Sequence, residues 1–260
     1  MDTNSSPSTQ PEWAIYPSLK DRVVIVTGGA SGIGADMVRA FVAQGAKVAF
    51  LDKNAEAANA LVKELDGRCH FEATDLTDIE GLKAAIANIH KRLGKVSVLV
   101  NNAAHDDRHD WRTVTEEYWD ERFATNLRHQ FFAIQAVAPG MMELGKGSII
   151  NIGSNSWWEA GGDFPAYTTA KSAVHGLTRT MARELGEYGI RVNAVVPGWI
   201  MTERQKQLWV TDEALNKQLE RQCLHTPIGP IYVARMVLFL ASDDAGMCTA
   251  SNFMVDAGSI

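Results

Sequence analysis

The stretch "RVVIVTGGASGIG", Arg22 to Gly34, constrains the fold more than any other part of the chain. An apolar, β-branched run suited to one buried strand stops at Thr27 and gives way to glycines at 28, 32 and 34, after which a helical pattern begins. A glycine-rich turn that opens a helix lets backbone N–H groups approach a pyrophosphate, and the positive end of the helix dipole favours the same anion. Strand, turn and helix together make one βα unit. A parallel sheet is the natural continuation of such a unit.

The rest of the chain repeats the unit. Short apolar runs at Lys47 to Asp52, Cys69 to Thr74, Val96 to Asn101, Gly147 to Ile152, Arg191 to Val196 and Asn252 to Asp256 alternate with longer helical patterns. Nearly continuous apolar strands imply a sheet covered on both faces, because βαβ crossovers place helices on each side. The expected fold is α/β: a single-domain Rossmann architecture, a doubly wound seven-stranded parallel sheet with helices on both faces. A chain of 260 residues fits one such domain. Residues 1–15 read as a flexible polar tail, with neither the basic start nor the apolar core of a signal peptide. Residues 16–260 read as the domain, with a polar helical lid near 199–224, before a helix starting near Pro230.

The composition is ordinary, with 46% hydrophobic and 22% charged residues and a formal net charge of -6, which argues against a nucleic-acid or anionic-membrane surface. Small molecules are the expected partners. Cys69, Cys223 and Cys248 lie far apart without CxxC spacing, so no disulfide framework or metal site is expected, and free thiols suit a reducing cytoplasmic compartment. No apolar run reaches the roughly 18 residues of a membrane span.

Ligands of doubly wound sheets bind outside the carboxyl ends of the strands, so the residues just after each strand are the candidates. After the first strand, Gly28, Ser31, Gly32, Ile33 and Gly34 are the candidate phosphate turn. The second strand ends in Asp52, placed to accept hydrogen bonds from ribose hydroxyls and to repel a 2'-phosphate, which favours NAD over NADP. Asp75 and Leu76 follow the third strand, where they can meet the adenine. Asn102 and Ala103 follow the fourth, and small residues there let the backbone approach the cofactor.

In "AYTTAK", Tyr167 stands four residues before Lys171, a spacing that sets both on one helix face. A nearby ammonium can lower the phenol pKa and make Tyr167 a base. Bringing a phenol from near 10 to about 7 takes roughly 4 kcal/mol, a task for one close cation and a positive nicotinamide ring in a water-poor cleft.

With these motifs the chain resembles the short-chain dehydrogenase/reductase family from Leu19 to Ile260. The glycine motif matches Thr27 to Gly34, the family's NNAG matches Asn101 to Ala104 with Ala104 in place of the last glycine, and YxxxK matches Tyr167 and Lys171. The resemblance implies Ser154 and Asn126 as the remaining members of a catalytic tetrad. It also implies that Lys171 and Tyr167 touch the nicotinamide ribose, that Asn126 holds a water in a proton relay, and that Pro197, Gly198, Ile200 and Thr202 close over the nicotinamide amide. Ser154 is expected to bind the reacting oxygen. A homotetramer with 222 symmetry is a further implication. Segments such as "AIYPSLK", "NNAAHDDRH" and "YWDERFATNLRH" resemble the bacterial NAD-dependent D-xylose 1-dehydrogenase branch, which implies oxidation of an aldose at the anomeric carbon to the aldonolactone.

The segments "HDDRHD" and "NSWWEAGGD" fall at the same sheet edge, and they are polar and aromatic, as a sugar pocket requires. His105, Asp106, Ser154, Asn155, Trp157 and Asp163 are the candidate substrate residues. The alternative for the first segment is a salt-bridged loop of Asp106, Asp107, Arg108 and His109. Trp157 and Trp158 are adjacent, so only one is expected in the pocket. The competing functions are a reductase or dehydrogenase of another small alcohol or ketone, of 3-oxoacyl or gluconate type, and a catalytically idle NAD sensor.

Overall fold

The computed structural model describes residues 12–260. The apolar runs form β1 (Val23–Thr27), β2 (Lys47–Asp52), β3 (Cys69–Ala73), β4 (Val98–Asn101), β5 (Gly147–Ile152), β6 (Ile190–Pro197) and β7 (Asn252–Val255). They make one parallel sheet in the order β3-β2-β1-β4-β5-β6-β7. The nine α-helices among the described residues are α1 (Gly32–Ala43), α2 (Ala55–Glu64), α3 (Ile79–Leu93), α4 (Glu116–Phe123), α5 (His129–Leu144), α6 (Pro165–Leu185), α7 (Glu203–Leu208), α8 (Asp212–Arg221) and α9 (Pro230–Ala241).

The strand residues alternate between two cores, as a period of two demands. Val24, Val26, Val48 and Phe50 pack with Met37 and Phe41 of α1 and with Val233 and Val237 of α9. Val23, Ile25, Ala49 and Leu51 pack on the opposite face with Leu82 and Ile86 of α3, Ile134 of α5 and Leu185 of α6. Burying one such side chain contributes about 1.5–3 kcal/mol, so the two-sided cover is what holds the strands. The sheet is therefore apolar on both faces, as the continuous apolar runs require.

The strand order reverses between β1 and β4. β2 and β3 lie to one side of β1, and β4 to β7 to the other, which opens a crevice beyond the carboxyl ends of β1 and β4. Between α4 and α5 the backbone stays helical through a π-helical segment, Ala124–Arg128, which places Asn126 fully buried under that crevice. The expected lid is the pair α7 and α8, capped by the hydroxyls of Thr202 and Thr211.

Of the expected tail, positions 1–11 lie outside the described residues. From Trp13 onward the chain is tied down, which moves the edge of the domain ahead of position 16. The Trp13 ring meets Tyr232 edge-on with centroids 5.9 Å apart, the Ala14 carbonyl accepts from Gln44 and Arg235, and Tyr16 N donates to Gln44 Oε1 at 2.7 Å. No helix among the described residues is long and apolar enough to cross a membrane.

Candidate active site

The turn after β1 closes so tightly that side chains are excluded. Gly28 has φ +66° and donates its N–H to Leu51 O at 2.7 Å, and a Cβ there would stand 2.8 Å from Ala103 Cα. A Cβ on Gly34 would fall 1.9 Å from Gly28 O. Thr27 ties this turn to the loop after β4: its Oγ1 accepts from Asn102 N at 3.0 Å and Ala103 N at 3.1 Å, while Asn102 Nδ2 donates back to the carbonyls of Thr27 and Gly28. Thr27 was not singled out in the sequence, although a hydroxyl on the last residue of an apolar strand was the signal. Ala104 stays out of the left-handed region, so replacing the family's glycine costs no backbone strain.

Asp52 lies against the same turn. Its Oδ2 accepts from Ala30 N at 3.0 Å and its Oδ1 from Asn54 N at 2.9 Å. Ser31 is the N-cap of α1, Ile33 packs on the core, and the bare Cα side of Gly32 faces Thr202, where a Cβ would meet Cγ2 at 3.4 Å. Asp75 accepts from Thr77 N and Oγ1 at 2.9 and 2.8 Å, bonds that hold its carboxyl below the usual range, and Leu76 packs beneath it. After β6, Pro197 O accepts from Asn155 N, Gly198 N donates to Val255 O, and Ile200 pairs with Ile228. A turn without side chains, amides opening a helix and a carboxylate at the rim fit the pyrophosphate and ribose of a dinucleotide.

The catalytic candidates converge where β5 ends. Lys171 is 1% exposed and donates from Nζ to Ile152 O at 2.7 Å, with Nζ 5.8 Å from the Tyr167 ring centroid. Ser154 sits two residues beyond Ile152, its Oγ accepts from Ser156 N at 3.2 Å, and it acts to lower the pKa of the Tyr167 phenol. One expectation is corrected. Burial and the Asp106 carboxylate push the phenol above its ordinary value, against the opposing effects of Ser154 and Arg108. Burial also brings Lys171 down to about 7, with Asp106 opposing. The dry cleft disfavours both charges, so the lysine alone does not acidify the phenol.

Asn126 is committed to the backbone. Its Oδ1 accepts from His105 N at 2.7 Å, and its Nδ2 donates to His105 O at 3.2 Å and Arg122 O at 2.9 Å. Both amide N–H groups are used, so the side chain ties the loop after β4 to α4, and only the residue's oxygens can take a water. One turn on, His129 is fully buried, with Nε2 3.2 Å from Ala103 O, and burial with the Lys171 cation lowers its pKa to about 4.

The profile of a family described as Enoyl-(Acyl carrier protein) reductase matches residues 28–259. The chain is a short-chain dehydrogenase/reductase. It is 50% identical to D-xylose 1-dehydrogenase of Caulobacter vibrioides over 94% of this chain and 98% of that protein. It is 47% identical to the probable galactose dehydrogenase GalD of Rhizobium meliloti over 94% and 96% of the two chains. A solved short-chain type dehydrogenase/reductase from Mycobacterium ulcerans superposes with a TM-score of 0.89 at 29% identity, covering 93% of this chain and 90% of that one. Members of the family work with a nicotinamide cofactor.

On the substrate side of this short-chain dehydrogenase/reductase, the structure divides the expected residues. Asn155 is 4% exposed and gives Nδ2 to Glu159 Oε1 at 2.8 Å and Ser259 Oγ at 3.0 Å. Trp157 stacks on Trp158 with centroids 3.8 Å apart and donates Nε1 to His175 Nε2 at 3.0 Å. Asp163, at φ +70°, offers its main-chain carbonyl to His109 N at 2.7 Å. The polar atoms of Asn155 and Trp157 thus brace the loops and are not donors to a sugar.

Asp106 and His105 belong to a charged network that includes α7. Arg204 of α7 pairs with Asp106, and with Asp107 at 2.8 Å, while Gln205 Nε2 donates to Asp106 Oδ2 at 2.7 Å. Burial keeps His105 below its ordinary value, and Arg122 donates to its Nδ1 at 2.7 Å. Asp106 and Asp107 are ion-paired as the alternative expects, but with Arg204 of α7 and Arg122 of α4, while Arg108 and His109 form no ion pair among the described residues. Arg204 and Gln205 carry no local signal of that role, because their partners are far away in sequence.

Proposed function

We propose that this dehydrogenase oxidises an aldose at the anomeric carbon to the aldonolactone with NAD as oxidant. The observation that carries the reading is the convergence of Ser154, Tyr167 and Lys171 on a cleft whose far wall is charged, with Asp106 and Arg108 both felt by the phenol. A polyhydroxylated ring suits that wall, whereas a steroid or acyl chain asks for an apolar one. The names of the Caulobacter and Rhizobium relatives support the same substrate class.

A nicotinamide cofactor supplies the acceptor for the hydride that leaves the anomeric carbon. The protein's residues manage the proton. Ser154 orients the anomeric hydroxyl, Tyr167 takes its proton, and Lys171 steadies the resulting charge and reaches the ribose. Asp52 favours NAD, because its carboxylate is held at the rim by Ala30 N and Asn54 N and would oppose a 2'-phosphate. The exposed Trp119 and Phe131 near the π-helical segment support a homotetramer, and free cysteines suit a cytoplasmic setting.

The test is NADH formation from a panel of aldoses, run in parallel with NADP. Turnover with D-xylose, L-arabinose or D-galactose and NAD is the expected result. Oxidation of NADPH by 3-oxoacyl substrates, with no aldose turnover, overturns the reading.

A further inference from the structure

Arg108 stands in the middle of a charged loop and pairs with none of it. No hydrogen bond or ion pair ties its guanidinium among the described residues. It stands over two aromatic rings, with Cζ 3.9 Å from the Phe164 centroid and 5.3 Å from that of Trp209. Its acidic neighbours are already engaged: Asp106 by Arg204 and Gln205, Asp107 by Arg204 and, at 3.6 Å, by Arg122.

A second donor beside it is also unused. The indole Nε1 of Trp209 is buried and has no hydrogen-bond partner. A buried donor without an acceptor is costly, and a guanidinium presents five N–H groups in a fixed fork. Aromatic stacking fixes the plane of that fork without using any of its donors.

Position connects these donors to the chemistry. Phe164 is the residue preceding α6, and its ring centroid is 5.6 Å from that of Tyr167. The rings of Tyr167 and Phe164, the Arg108 guanidinium and the Trp209 indole therefore form a continuous row from the base to the residue that follows α7. A ligand lying along this row meets the phenol at one end and two sets of free donors at the other.

We propose that Arg108 and Trp209 Nε1 bind the substrate, donating hydrogen bonds to adjacent hydroxyl oxygens of the sugar and so setting which aldose is preferred. The proposal rests on the aldose reading. Vicinal hydroxyl oxygens match the spacing of the fork, whereas a hydrocarbon would leave every one of these donors empty.

The experiment compares wild type with Arg108→Met, Arg108→Lys and Trp209→Phe, measuring kcat and KM for D-xylose, L-arabinose and D-galactose at saturating NAD, NADH affinity by fluorescence titration, and melting temperature. Arg108→Met keeps a flexible stem between the rings and removes the donors. Its KM for the preferred sugar is expected to rise about tenfold or more, with NADH affinity within about threefold of wild type. Arg108→Lys restores charge without the fork and recovers less than half of that loss on a logarithmic scale. Trp209→Phe keeps the ring and raises KM about threefold to tenfold. The ratio of kcat/KM between epimeric sugars changes in Arg108→Met.

If wild type oxidises aldoses and Arg108→Met leaves KM and the epimer ratio within twofold, this proposal is overturned while the aldose reading stands. A fall in melting temperature with an unchanged epimer ratio makes Arg108 a brace for the loop, and also overturns it. Wild type that oxidises no aldose overturns the aldose reading and this proposal together.

Discussion

Lys171 Nζ donates to Ile152 O at 2.7 Å, so the ammonium is anchored on the last residue of β5 and not on the phenol of Tyr167. With Lys171 brought to about 7 and the phenol raised, the protein by itself holds the pair close to neutral. Tyrosinate absorbance from Tyr167, taken as wild type minus Tyr167→Phe, is expected to be absent below pH 10 in the cofactor-free protein, and to appear at lower pH once NAD is bound. Tyr167→Phe is expected to lower kcat at least about 100-fold with little change in cofactor affinity. A variant with near wild-type kcat would remove Tyr167 from the chemistry.

His129 predicts a specific acid limb. Its pKa is about 4 in the folded chain against an ordinary 6.5, so between those values the unfolded chain binds a proton that the folded chain refuses. Stability contributed by keeping it neutral is complete above pH 6.5 and falls as pH drops toward 4, by up to about 3 kcal/mol at 1.36 kcal/mol per pH unit. Denaturant titrations at several pH values should show this slope in wild type and a flatter one in His129→Gln. Equal slopes would mean that the imidazole takes up its proton in the folded state.

Asp52 has two duties that substitution can separate. Asp52→Asn keeps an acceptor for one of the two amides, Ala30 N or Asn54 N, and removes the negative charge, whereas Asp52→Ala removes the charge and both acceptors. Both should shift the ratio of kcat/KM toward NADP, by about tenfold or more, the scale of losing a charged hydrogen-bond acceptor. Asp52→Ala should in addition lower the melting temperature. Equal use of NAD and NADP by wild type would show that the carboxylate does not choose the cofactor.

Arg204 couples α7 to the base through Asp106. Without Arg204, the Asp106 carboxylate loses its cation and bears more strongly on the Tyr167 phenol, whose pKa it already raises. Arg204 is 38% exposed, so solvent screens the effect. The kcat pH profile of Arg204→Gln should move to higher pH by roughly half a unit, or about 0.7 kcal/mol. An unmoved profile would mean that the pair only secures α7.

The strands, the glycine turn and the Tyr167–Lys171 spacing were legible because each is written within a few residues: an apolar run, a glycine where a Cβ would strike Gly28 O, a tyrosine four before a lysine. The substrate wall was not, because its contacts join distant segments. Asn155 reads as a free amide until Ser259, at the end of the chain, is seen to accept from it, and Arg204 meets Asp106 across 98 positions. The state of the Tyr167 phenol in the cofactor-free chain was not legible for a related reason. Spacing shows that a cation is near, but not how dry the cleft is, and here burial is the largest effect on both groups.

The hydroxyl of Thr27 accepts from two amides of the β4 loop and lies 3.5 Å from Val100 O, which it can reach as a donor, so its bonding capacity is filled. One side chain thereby fastens the half of the sheet that carries Asp52 to the half that carries Ser154 and Lys171. For protein engineering this makes the turn after β1 non-modular. A glycine turn transplanted from a relative to change cofactor choice has to bring a hydroxyl at position 27 with it, or the carboxylate that selects the nucleotide and the phenol that does the chemistry will no longer be held in register.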